Sequence, residues 1–499
     1  MNTFMSGLTN ATNYTKTENG AVAHNSTNSA VYDMFALGAA MRNRSDEDIA
    51  LKFKNAYLEN PELALKCLFY IGDCRGGQGE RRFFRTCYSW LVAEYPKIAE
   101  KFLVFIPFYR RWDDLLYVSN KRKITWDKAM EIIREQLADD ISSKCPSLLA
   151  KWLPSENASS NETKRIAGAV RSSLGWSHRQ YRKALSTLRG RIKVLERTMS
   201  AQDWDAIEFD KLPSKAGLKY SKAFARRPET SKRYAEFMES KTTTVNAGTL
   251  YPYEIVHKVG EDYWRTMDST KRAALNKYWA NLPDYFNGEA SSLMCVVDTS
   301  GSMEGTPMEV AISLGMYCAE RLRGPFHDHF ISFSREPRLI KVEGVDFVDK
   351  VKRIWGQNLC ENTNLSGVFD LIKHIALKPG VRKEDVPKTI VVISDMEIDV
   401  GARSGYSLHG GYQGWTTESA VTEMEKIREE WAEAGLEMPR LVYWNVDARN
   451  DTILDAGPNV SYVSGFSPSI FESVLTGKNG YALMLDKLMS DRYADITLG

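Results

Sequence analysis

Residues 294–303 read Met-Cys-Val-Val-Asp-Thr-Ser-Gly-Ser-Met, and the fold of the C-terminal part follows from them. Leu293 to Val297 is an apolar run with the length and β-branched content of a buried parallel strand. It ends in Asp298-Thr299-Ser300-Gly301-Ser302, which puts a carboxylate and two hydroxyls on the loop at the strand's carboxyl end. In open α/β sheets that edge is where ligands bind. Asp298, Ser300 and Ser302 are spaced to turn toward one point, and Gly301 lets the backbone bend tightly between the hydroxyls. All three are hard oxygen donors, suited to Mg²⁺, Ca²⁺ or Mn²⁺ rather than Zn²⁺. Taken alone, the pattern also fits a polar turn after a strand.

Two later segments extend it. Asn362-Thr363-Asn364-Leu365 offers the Thr363 hydroxyl just before an apolar helical pattern (Leu365, Phe369, Ile372). Thr389-Ile-Val-Val-Ile-Ser-Asp395 is a second buried-strand run ending in a carboxylate. Asp298, Ser300, Ser302, Thr363 and Asp395, in this order and each at a strand or loop end, resemble the metal-ion-dependent adhesion site of von Willebrand factor A domains. The resemblance implies that the hydroxyls ligate a divalent cation, most simply Mg²⁺, directly. The aspartates then act directly or through water, and a protein partner's acidic side chain completes the sphere.

The remaining C-terminal sequence fits a doubly wound sheet. His329–Phe333 and Arg440–Val446 read as strands, and 307–322, 365–377 and 418–434 carry helical periodicity. A Gly-rich loop from Gly401 to Gly414 follows Asp395 and belongs at the ligand edge.

The 499 residues exceed what one core normally organises. No apolar stretch is long enough to span a membrane, and no secretory leader is seen at the N-terminus. Seven scattered cysteines without metal spacing read as reduced packing residues of a cytoplasmic protein. A net charge of +2 hides an asymmetry. From residue 286 onward there are 21 Lys/Arg against 31 Asp/Glu, and the preceding part carries 45 against 33. Residues 151–240 alone hold 19 basic and 10 acidic side chains. A basic excess confined to one part suits a polyanion partner, or a solvated basic face that docks on the acidic part of the same chain.

The organisation expected is a polar N-terminal arm (1–30), disordered or pinned along the surface, then an α-helical repeat domain (31–285) and the α/β domain (286–499). Helices are read at 31–41, 46–55, 61–72, 81–94 and 96–106, paired as in HEAT-like solenoids but without a strict period. Ser177 and Gln180 form a capping box opening a further helix. Its apolar stripe runs through Tyr181, Leu185, Leu188, Ile192, Leu195 and Met199. Arg182, Arg189, Lys193 and Arg197 project from an adjacent stripe, a ridge that can follow a phosphate backbone or simply snorkel.

Leu174-Gly175-Trp176-Ser177-His178 resembles a motif of the Ro/TROVE RNA-binding proteins, which join a ring of α-helical repeats to a von Willebrand A domain. Leu250-Tyr251-Pro252-Tyr253-Glu254-Ile255 and Val463-Ser464-Gly465-Phe466-Ser467 are similar to segments there. A phage, plant and fungal branch of that architecture is closer still. It shares features at Thr17–Ala21, Asp73–Arg81, Arg111–Leu115, Ser394–Asp399 and Tyr443–Asn445. The resemblance implies RNA binding on a ring made by one chain or several. The candidate contacts are the ridge residues Arg182, Arg189, Lys193 and Arg197 and the neighbouring Arg171, Arg179 and Lys183, none of them a matched contact of the family. Basic or imidazole contacts of Ro relatives are replaced here by Ala169, Ser173 and Ser186.

No phosphate-loop ending follows the Gly-rich Asp73–Arg81 stretch, and no nucleophile-base constellation stands out. The expectation is therefore a non-catalytic RNA-binding scaffold. The alternative is a cation-dependent protein-interaction or assembly adaptor that binds no RNA.

Overall fold

In the computed structural model, which describes residues 13–286, 288, 292–333, 337–357, 364–398, 422–455, 457 and 459–499, two sheets form. The first is an antiparallel pair, β1 (Tyr14–Lys16) and β2 (Val22–His24). The second has six strands: β3 (Leu293–Asp298), β4 (His329–Phe333), β5 (Arg338–Lys341), β6 (Thr389–Ser394), β7 (Arg440–Asn445) and β8 (Val460–Ser464). Their order is β5-β4-β3-β6-β7-β8, parallel throughout except for the antiparallel edge strand β5. Counted from β3 this is the 3-2-1-4-5-6 order of doubly wound sheets, whose switch point lies between β3 and β6.

Burial explains which strands were legible. β3 is buried at every position and β6 at all but the first, as continuous apolar runs in parallel sheets must be. β5 exposes three of its four residues, Arg338, Leu339 and Lys341, as a charged edge strand does. The helix Thr306–Arg321 packs across the sheet, and Gly315 lets it close on β3: a Cβ there would come within 2.6 Å of the Val297 side chain.

Contacts group the chain into two units. One comprises Met1–Ile71, Gly76–Glu80 and Leu250–Gly499; the other comprises Gly72–Arg75 and Arg81–Thr249. This partition is not the linear one at residue 286, because the helices Ala30–Leu37, Asp46–Glu59, Pro252–Gly260 and Ser269–Ala280 group with the sheet. Ala30–Leu37 shows why. Seven of its eight residues are buried, Asp33 among them, and a helix buried on almost every side needs cover on every side. The sheet's β8 supplies it: Tyr462 N donates to Tyr32 Oη (2.8 Å), and Ser464 Oγ donates to the Phe35 carbonyl (3.1 Å). Residues 13–24 of the arm are pinned, with His24 and Ile453 exchanging backbone hydrogen bonds at 2.8 and 2.9 Å.

The sheet-containing unit is acidic, with 32 Lys/Arg against 44 Asp/Glu, and the other is basic, with 34 against 20. The basic unit is helical, from Arg81–Glu94 to Pro228–Glu239. Helices stand at Pro61–Gly72 and Arg81–Glu94 as read from the sequence, and Asp46–Glu59 runs one turn past its expected end. Pro96–Phe102 stops short and continues as a 3₁₀ turn. No described helix is long and apolar enough to cross a membrane.

Candidate metal centre and basic helix

β3 and β6 deliver two carboxylates to the carboxyl edge of the sheet at its switch point. Asp298 is fully buried and Asp395 is 1% exposed. Each is held by the backbone of its own loop: Ser300 N donates to Asp298 Oδ1 (2.9 Å), and Glu397 N donates to Asp395 Oδ1 (3.0 Å). Ser394, the last residue of β6, donates its Oγ to Asp298 Oδ2 at 2.6 Å, tying the two strand ends together. Ser300 Oγ and Ser302 Oγ lie 3.1 Å apart, the first buried and the second facing solvent. Among the described residues the cluster is buried at Asp298, Ser300 and Asp395 and exposed at Ser302. Met396 takes a left-handed conformation (φ 67°) that turns the chain sharply after Asp395.

The electrostatics of this edge favour a cation. Burial and then the charge of Asp395 push the Asp298 carboxyl well above the usual carboxylate range. Two buried carboxylates with convergent hydroxyls make a donor set that fits a hard divalent ion, which would relieve that repulsion. Four of the five expected ligands, Asp298, Ser300, Ser302 and Asp395, are brought to this edge. Thr363 and the Gly401–Gly414 loop lie outside the described residues. Among the described residues no cluster of three or more His, Cys, Asp or Glu is arranged for a metal, so the donor set depends on hydroxyls.

Three polar partners of the site had no assigned role in the sequence reading: Arg449, Glu397 and Glu18. Arg449 forms an ion pair with Asp395 through Nη2 and with Glu18 through Nη1 (2.9 Å). Glu397 is buried and accepts from Glu18 N (2.6 Å), Asn450 Nδ2 (3.2 Å) and Thr452 Oγ1 (3.1 Å). The Thr17–Ala21 and Ser394–Asp399 motifs, 377 positions apart at Thr17 and Ser394, therefore meet in one network. The Leu250–Ile255 and Val463–Ser467 motifs also meet in this unit, together with Gly76–Glu80 of the Gly-rich stretch. Tyr251 Oη donates to the Gln78 carbonyl (2.9 Å), and Gln78 Oε1 accepts from Ser467 N (3.3 Å). Gly465, at φ 112°, lies so close to Gln78 Oε1 that a Cβ would sit 2.2 Å from it.

In the basic unit the capping box at Ser177 is present: Ser177 Oγ accepts from Gln180 N (3.3 Å), and Gln180 Oε1 accepts from Ser177 N (2.8 Å). The helix it opens, His178–Arg191, buries Tyr181, Leu185 and Leu188 as expected. It is not continuous to Met199. Lys193 adopts φ 48°, Val194 N bonds to the Arg189 carbonyl and Lys193 N to the Gly190 carbonyl, a Schellman stop. A second helix, Leu195–Ser200, begins after the stop. The single ridge expected from Arg182 to Arg197 is broken there.

The candidate RNA contacts differ in what they already hold. Arg189 donates to the carbonyls of Ala150 (2.8 Å) and Leu153 (2.7 Å) and to Ser155 Oγ (2.8 Å). Arg171 joins Glu156 (3.0 Å) and the Trp176 carbonyl (2.9 Å). Arg197 donates to the Ser186 carbonyl, and Lys193 pairs with Glu208. Arg182 Nε donates to the His178 carbonyl at 3.3 Å, its one hydrogen bond among the described residues. Among the described residues Arg179 and Lys183 have no hydrogen bond or ion pair, and both are exposed. Beside them lies a groove of about 400 Å³, lined by Ile141, Trp176, Lys183, Thr187, Leu188 and Arg191. Arg191 is anchored there by the Ile141 carbonyl at 2.7 Å.

The molecule is thus a helical unit together with a parallel-dominated α/β unit whose switch point carries an oxygen-rich, acidic cluster. Sequence comparison divides the chain linearly instead, between residues 284 and 292. Residues 17–104 and 127–284 match a domain family of unknown function (DUF2828), and residues 292–487 match a second (DUF7788). The chain is 29% identical to an uncharacterized protein of Acanthamoeba polyphaga mimivirus over 511 aligned residues, covering 93% of this chain and 85% of that protein.

Proposed function

We propose that this protein is a non-catalytic, cytoplasmic RNA-binding scaffold of Ro/TROVE type, in which HEAT-like helices accompany a von Willebrand A domain with a divalent-cation site. The supporting observation is the surface around Trp176. Arg179 and Lys183 present free charges beside a half-buried indole and an apolar groove, within a unit carrying 14 more basic than acidic side chains. Single-stranded nucleic acid is bound by that combination: cations on the phosphates and an aromatic platform for an unpaired base.

Mg²⁺ is the ion best suited to the sheet edge, held by Asp298, Ser300, Ser302, Thr363 and Asp395, and it supplies an open coordination position for an acidic side chain. Asp298 and Asp395 neutralise it, Ser394 fixes the Asp298 carboxylate, and the exposed Ser302 lies on the approach side. That open position also supports the second reading, a cation-dependent protein adaptor. A salt titration of binding to single-stranded and structured RNA separates the two. Arg179→Glu/Lys183→Glu is expected to weaken binding at least tenfold and to flatten the log–log salt slope by roughly 0.7 per lost single-strand phosphate contact. Absence of binding at low salt in the parent protein refutes the scaffold and leaves the adaptor.

A further inference from the structure

We propose that Arg449 is a resident counter-cation of the sheet-edge site, and that Glu18 of the N-terminal arm holds it so that a divalent ion can take Asp395. This rests on the cation reading above and adds a regulator to it. Asp395 Oδ1 accepts from Glu397 N, and its other oxygen, Oδ2, through which it would hold an ion, already accepts from Arg449 Nη2. A guanidinium and a divalent ion repel each other and compete for the same lone pairs. For the ion to enter, Arg449 must give up Asp395. It does not then lack a partner, because Glu18 Oε2 receives its Nη1 at 2.9 Å and Asp447 lies within 3.9 Å. The arm thus lowers the cost of displacing the guanidinium.

The placement of Glu18 is built, not incidental. Its backbone N–H donates to the buried Glu397 carboxylate (2.6 Å), and its Oε1 accepts from Asn450 Nδ2 (3.1 Å). On either side, Thr17 Oγ1 donates to the Ile398 carbonyl (2.7 Å) and Asn19 Nδ2 to the Glu397 carbonyl (2.7 Å). Ala21 N returns to Thr17 Oγ1 at 2.9 Å, closing the turn between β1 and β2. Every one of these bonds ends on the loop that carries Asp395, on the Arg449 segment, or within the arm itself. Arm docking and ion binding are therefore linked, and linkage is reciprocal: whatever Glu18 contributes to ion affinity, the ion returns to the docking of the arm.

The test is titration of the full-length protein with Mn²⁺ by calorimetry, with hydrogen exchange of residues 14–24 followed in parallel. Arg449→Gln is expected to bind Mn²⁺ at least tenfold more tightly, because the competing charge is gone. Glu18→Gln is expected to bind several-fold more weakly, because Arg449 is left to Asp395. In the double variant the Glu18 effect should vanish, since Glu18 acts only through Arg449. In the parent, saturating Mn²⁺ should slow exchange of the arm amides. Unchanged or weaker binding in Arg449→Gln, or an undiminished Glu18 effect in the double variant, overturns the proposal while leaving the cation site standing. No Mn²⁺ binding in either the parent or Arg449→Gln refutes the cation reading itself. Should Arg449→Gln fold poorly without ion, Glu18→Gln, altered at a 43% exposed side chain, decides alone.

Discussion

The acidic and the basic unit use their charges in opposite ways. In the acidic unit, cationic side chains bind the arm and the sheet loops together: Arg449 joins Glu18 to Asp395, and Lys52 and Arg44 converge on Asp451. In the basic unit most of the arginines around the expected RNA face are committed to the backbone. Arg189 and Arg191 hold the carbonyls of neighbouring segments, and Arg197 holds one of its own helix-turn-helix. A surplus of positive charge is thus not a surplus of available positive charge. Of seven candidate contacts only Arg179 and Lys183 stand unengaged among the described residues.

The sharpest way to break this comparison is at a fully buried charge of the basic unit. Asp114 is fully buried and meets Arg81 (3.0 Å), Arg85 (2.6 Å) and Arg110 (3.0 Å). Asp114→Ala leaves three guanidiniums facing one another and should cost about 3–5 kcal/mol in urea unfolding. Burial raises the Asp114 pKa, but Arg110, Arg85 and Arg81 together carry it below the usual carboxylate range. A carboxyl depressed in the folded state contributes stability above its unfolded pKa and loses it as pH falls through the folded one. Asp114→Asn should accordingly flatten the stability decline on the acid side of pH 4, read by unfolding at stepped pH. A decline as steep as the parent's would assign it to other carboxylates.

Next in size is the contrast between a committed and a free cation. Arg189→Ala removes three hydrogen bonds to otherwise enclosed acceptors and should destabilise by about 2–3 kcal/mol. Lys183→Ala should stay within about 0.5 kcal/mol of the parent in the same denaturation while weakening RNA binding severalfold. Equal stability losses at both positions would erase the distinction drawn here. The smallest effect concerns Ser177. Its replacement by Ala opens the capping box and should cost about 1 kcal/mol, with faster amide exchange confined to the first turn after Trp176.

Much of the α/β unit was legible in the chain. A run such as Leu293–Val297 is legible because a continuous apolar stretch of strand length suits burial on both faces of a parallel sheet. Its loop chemistry was equally visible, because Asp298, Ser300 and Ser302 are close in sequence. β8 was missed as a strand: Val-Ser-Tyr-Val-Ser reads as a half-polar surface segment, yet Ser461 and Ser464 are buried. Ser464 is satisfied by the Phe35 carbonyl and Ser461 Oγ by Gly480 N. The helix through Tyr181 was correct to Arg191 and wrong beyond it. Lys193 gives no sign of a left-handed stop, which glycine ordinarily provides.

By itself the sequence determined the local elements, the acidic and basic halves and the oxygen donors of the candidate cation site, because each depends on neighbours a few positions apart. Only the tertiary structure decided that helices from both ends of the expected repeat domain group with the sheet. It also decided which arginines are consumed by carbonyls, and that Glu18 and Arg449 reach Asp395. Those outcomes depend on which distant groups must satisfy one another's buried charge and hydrogen bonds, and no periodicity along the chain encodes that.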